Sequence, residues 1–131
     1  MKRDVYTGHL KLNGEEHEIT LMVANNYVSA LKDLKHFKEA KSLLLRTIPV
    51  ARRTLGEGHH LTLIMRWTSA EALYSDPGAT LDDLREAVTT LEEIERIARR
   101  VFGSTHPLTT GIEDELQNAR AALGESSKGS N

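Results

Sequence analysis

Leu55-Gly56-Glu57-Gly58-His59-His60-Leu61-Thr62 is a phrase that this chain uses three times. Asn13-Gly14-Glu15-Glu16-His17-Glu18-Ile19-Thr20 is its upstream copy, and Phe102-Gly103-Ser104-Thr105-His106-Pro107-Leu108-Thr109 its downstream copy. His17, His59 and His106 recur at offsets of 42 and 47 residues. A phrase returning at that interval, with helical patterning between copies, is the signature of stacked helical repeats. Each copy reads as one helix stopping and the next starting. Gly56 and Gly103 stand where a helix end needs a left-handed residue, which glycine adopts without a Cβ penalty. Pro107 suits a first helical position, where the missing N–H costs nothing. That puts His106 at the N-cap, and His17 and His59 repeat the spacing. The three histidines are therefore expected as turn or cap residues. No second metal ligand lies at helical spacing from any of them.

Outward from these boundaries the apolar residues fall at helical intervals. Leu21, Ala24, Val28, Leu31 and Leu34 predict a helix from about residue 17 to 34. Ala40, Leu43, Leu44 and Ile48 predict a second over 37–54, kinked at 45–49 by Pro49 rather than broken, because the pattern resumes in phase. Leu63, Arg66, Ala70 and Leu73 form the inward stripe of a third over 60–74. Ser75-Asp76-Pro77-Gly78-Ala79 is a turn, and Thr80 with Asp83 resembles a capping box. The fourth helix, over 81–102, has Leu84, Ala87, Val88, Leu91, Ile94, Ala98 and Val101 on its stripe. Its run Glu92-Glu93-Ile94-Glu95 reads as a solvated face. Ile112, Leu116, Ala119 and Leu123 predict a fifth helix over 107–123. Residues 2–12 correspond in register to the end of a helix in a preceding unit, so the chain starts mid-repeat, as a fragment of a longer array or with a decayed first unit.

The expected fold is all-α: stacked antiparallel helical hairpins, about two full repeats with flanking half-repeats. The repeat domain is expected over 1–124. Residues 125–131 carry no apolar side chain and read as a disordered tail. Charged residues make up 27% of the chain and the formal net charge is −2, a balance that points to neither nucleic acid nor an anionic membrane. No window approaches the 18 or so apolar residues of a membrane span. Cysteine is absent, which excludes disulfides and thiolate chemistry and suits a reducing, cytoplasmic setting. Ser29-Ala30-Leu31-Lys32 spells S-x-x-K without companion motifs, and His17-Glu18 begins an H-E-x-x-H that Leu21 breaks. No phosphate-binding glycine loop is present. The chain reads as a non-enzyme without cofactor or metal.

With the units laid out, the chain resembles tetratricopeptide repeats of the kinesin-light-chain kind over residues 2–123. The resemblance rests on Phe102-Gly103-Ser104-Thr105-His106-Pro107-Leu108-Thr109 at the boundary, Ala24-Asn25-Asn26-Tyr27 in the first helix and Phe37-Lys38-Glu39-Ala40 opening the second. The second unit departs from the pattern, with Arg66-Trp67-Thr68-Ser69 and the inserted Pro77-Gly78. The resemblance implies a right-handed α-solenoid whose first helices, the A helices, line a concave groove that binds an extended peptide or partner protein. Carried over by position, the groove residues are Asn25, Asn26, Ser29 and Asp33, then Trp67, Thr68, Glu71 and Tyr74, then Asp114 and Asn118, with Met22, Lys32, Ile64, Ser75 and Glu115 beside them. Asparagine both donates and accepts, which suits a ligand backbone. Trp67 and Tyr74 are of the residue types enriched at binding hot spots; the alternative reading has Asn26 bonding a neighbouring helix and Trp67 packing between units. Asp33, Glu71, Asp114 and Glu115 outnumber the basic residues, so a mild preference for Lys or Arg peptides is expected. The alternative is a structural piece that self-associates through apolar stripes at its uncovered ends.

Overall fold

The computed structural model describes residues 18–129, with side chains to residue 124. The expectations for residues 2–12 and for His17 lie outside the described residues. Within them are five helices and no strand: α1 Glu18–Asp33, α2 Phe37–Thr54, α3 His60–Ser75, α4 Leu81–Phe102 and α5 Pro107–Gly129. Consecutive helices pack as hairpins, and α3 also touches α1 and α5. This is the all-α stack of helical hairpins that the repeats imply.

Each helix ends for a local reason. Lys35 closes α1 with φ 63°; His36 N–H donates to Leu31 O at 2.8 Å and Lys35 N–H to Lys32 O at 2.9 Å. This is a Schellman ending with lysine in the residue position that usually holds glycine. Gly56 and Gly103 take φ of 98° and 97°, and a Cβ at either would meet nothing within 4 Å. Conformation, not space, therefore requires glycine there. His59 and His106 cap the helices that follow: Nδ1 accepts Leu61 N–H at 3.1 Å in one and Leu108 N–H at 3.0 Å in the other. Thr80 and Asp83 form the reciprocal capping box, at 3.1 and 3.0 Å. Helix α2 continues across Pro49.

Two cores lie side by side. Leu21, Val28 and Leu31 of α1 meet Ala40, Leu44 and Ala51 of α2 in the first; Ala87, Leu91 and Ile94 of α4 meet Leu108, Ile112 and Leu116 of α5 in the second. Helix α3 serves both, through Leu61 and Met65 on one side and Leu63, Ala70 and Leu73 on the other. That explains why nine of its sixteen residues are buried, including Arg66. Arg66 lies between Glu93 (Nη2–Oε1 3.1 Å) and Glu57 (3.6 Å), and Glu57 also receives Arg52 at 2.7 Å.

Three expectations need correcting. Glu95, expected on a solvated face, is buried and pairs with Arg99; Glu92 and Glu93 reach Arg120 and Arg66. Helices α3 and α5 place arginines over Glu93 and Glu92, and α4 itself brings Arg99 to Glu95 one turn on. Val101 and Leu34, expected on buried stripes, are half or more exposed: Leu34 falls in the turn after α1 and Val101 in the last turn of α4. Helix α5 continues to Gly129, past the expected end at 123. Gly124 keeps a φ outside the positive range, and no proline follows to stop the helix.

Candidate functional site

The A helices α1, α3 and α5 stand next to one another, joined by polar contacts. At the first joint Lys32 pairs with Glu71. At the second, one carboxylate organises two aromatic residues. The Trp67 indole N–H donates to Glu115 Oε1 at 2.9 Å, and the Tyr74 hydroxyl donates to Oε2. Asn118 Nδ2 is 3.5 Å from Oε2. Burial pushes the Glu115 carboxyl up, but the donors from Tyr74, Trp67 and Asn118 outweigh it and hold it below the usual carboxylate range. Burial, then the hydrogen bond to Glu115 and its charge, push the Tyr74 phenol up, so Tyr74 remains the donor.

The indole turns its Nε1–Cη2 edge to α5, with Cη2 over Gly111. A Cβ at Gly111 would come within 2.6 Å of Trp67 Cη2. Beside the indole opens a pocket of about 370 Å³. Ile64, Trp67 and Leu108 give it an apolar wall, His60 and His106 line one end, and Thr68 and Glu71 the other. Phe102 backs the imidazoles, its ring 4.8 Å from that of His106 and 6.2 Å from that of His60.

The groove residues read from sequence have different fates. Trp67, Thr68 and Glu71 line this pocket, and Tyr74 and Asn118 adjoin it through Glu115. The Thr68 hydroxyl is spent on Ile64 O at 2.9 Å. On α1, Asn26 and Asp33 are exposed while Asn25 and Ser29 are half-buried. Asn25 Oδ1 is buried without a hydrogen-bond partner. Asp114 is exposed on α5. Sequence reading missed His60, His106 and Gly111 as site residues. A signal for Gly111 existed: an interior helical glycine costs about 1 kcal/mol relative to alanine, so something must need the space.

The geometry defines a helical-repeat protein with a polar face built from its A helices. The family comparison agrees with that class: a model described as a tetratricopeptide repeat matches residues 20–61, which cover most of α1, all of α2 and the turn into α3. This supports a tetratricopeptide repeat protein. No curated protein matches the chain. Among the described residues no helix is long and apolar enough to cross a membrane.

Proposed function

We propose that the face formed by α1, α3 and α5 is a docking surface for an extended segment of a partner protein, and that the chain works as a binding scaffold of the kinesin-light-chain-like kind. Tetratricopeptide repeats in general mediate protein–protein contact. The observation that carries the proposal for this chain is the α3–α5 joint, where Glu115 fixes Trp67 and Tyr74 next to an open pocket. Held side chains lose little freedom when a ligand arrives, so more of the contact energy reaches affinity. Asn26 supplies an exposed amide on the α1 side of the surface, with half-buried Asn25 beside it. The preference for basic peptides narrows to Asp33 and Asp114, because Glu71 is paired with Lys32 and Glu115 is occupied by its donors.

The self-association alternative draws little support from α5. Thr110, Asp114 and Gln117 on that helix are polar and exposed, where self-association would call for an apolar stripe. The test selects peptides on the intact chain and remeasures them on Asn26→Ala/Asp114→Ala, whose altered side chains are exposed and leave the cores alone. Loss of affinity with unchanged helicity is expected. Undiminished binding by the variant would place the docking surface elsewhere, and oligomers growing with concentration would favour the alternative.

A further inference from the structure

The two described boundary histidines are capped alike but completed differently. His59 Nδ1 accepts the Leu61 N–H, so in the neutral ring the proton sits on Nε2. That Nε2 meets Glu18 Oε1 at 3.1 Å. His106 Nδ1 accepts the Leu108 N–H in the same way, which fixes the same tautomer and leaves Nε2–H as its donor. The residue in the register of Glu18, 42 positions on, is His60, so the second boundary has no carboxylate of its own. No described side chain accepts from His106 Nε2. Both imidazoles line the pocket, Phe102 supports them from behind, and the positive end of α5 adjoins them. The pocket's own carboxylate, Glu71, lies eleven residues further along α3, roughly 16 Å away at the helical rise, and is paired with Lys32.

We infer that the His60–His106 end of the pocket receives a side-chain carboxylate, aspartate or glutamate, from the docked segment, in the role that Glu18 plays for His59. An apolar residue next to it in the partner packs on Ile64 and Trp67. The inference rests on the docking surface proposed above and adds what one of its subsites recognises. It also gives that surface a polarity, with an acidic residue at the imidazole end and basic residues toward Asp33 and Asp114.

The test uses the full chain and two terminally blocked peptides, Ac-Ser-Leu-Glu-Leu-Ser-NH2 and its glutamine isostere, so that no terminal carboxylate confuses the result. Trp67 fluorescence gives affinity, and the ¹⁵N resonance of His106 Nε2 reports the contact. The glutamate peptide should bind about tenfold more tightly, the scale of one charge-assisted hydrogen bond, and alone should shift that resonance. His106→Asp keeps an N-cap acceptor, since aspartate is a favoured cap, but sets a carboxylate against the ligand's. It should abolish the glutamate advantage while the circular dichroism stays unchanged. Equal affinities for the two peptides, with Trp67 responding to both, overturn the subsite and leave the docking surface standing. A wild-type chain that ignores both peptides and every selected one overturns both. The wild-type comparison stands even if His106→Asp folds poorly.

Discussion

Gly111 and Gly124 belong to the same helix and should answer the same substitution in opposite ways. Alanine is ordinarily worth about 1 kcal/mol more than glycine inside a helix. At Gly124 a Cβ meets nothing within 4 Å, so Gly124→Ala should hold or raise the melting temperature. At Gly111 it meets the Trp67 ring at 2.6 Å, and overpacking costs roughly 1–3 kcal/mol. Gly111→Ala should therefore lower the melting temperature and move the Trp67 emission maximum, because the indole must leave α5. Glu115 makes the second prediction at this scale. Its folded pKa is depressed, so its contribution is fully present above the unfolded value, near 4.3, and is lost as pH falls through the folded value. The stability gap between the wild type and Glu115→Gln, measured by urea unfolding, should be constant above about pH 5 and shrink as the solution becomes more acidic. A gap that widened on acidification would reverse the assigned sign.

Among the elements, α3 depends most on its neighbours, and Arg66 shows why. Its stem is buried, while its guanidinium meets two carboxylates that stay partly in water. Truncation loses the packed stem and strands both partners; an apolar side chain of similar length keeps the packing and avoids burying charge. Arg66→Ala should cost about 2 kcal/mol, and Arg66→Met under half of that, by chemical denaturation. Equal losses would mean that the ion pairs, not the stem, hold the helices together. The same contrast explains what the sequence disclosed. Gly56, Gly103, His59, His106 and the Thr80–Asp83 box were readable because each acts within a few residues of itself. The burial of Glu95 was not, because it depends on α5, whose position no local pattern encodes; for Trp67 the sequence offered both groove and inter-unit packing, and the place of α5 decides between them. The face of Arg66 was readable from its place between Leu63 and Ala70; its carboxylate partners were not. In the candidate site, the groove positions on α3 came from register alone, whereas the imidazole pair emerged only when α5 was set beside α3.

For the whole molecule, a helix that serves two cores makes them one thermodynamic unit. Met65 lies in the first core and Leu63 in the second, two residues apart. Truncating either to alanine should cost about 2–5 kcal/mol and displace a single unfolding transition. Calorimetry checks this: if the halves were independent, Met65→Ala would split the endotherm and leave the upper part where it was. The shared helix has a further consequence at the exposed Asp76-Pro77-Gly78 turn, where Asp76 Oδ1 accepts the Gly78 N–H at 2.9 Å. Severing the backbone between Pro77 and Gly78 leaves one fragment displaying the bare flank of α3 and the other the hollow that flank fills. The two pieces are thus built to find one another, which makes this turn the natural breakpoint for a split-protein reporter.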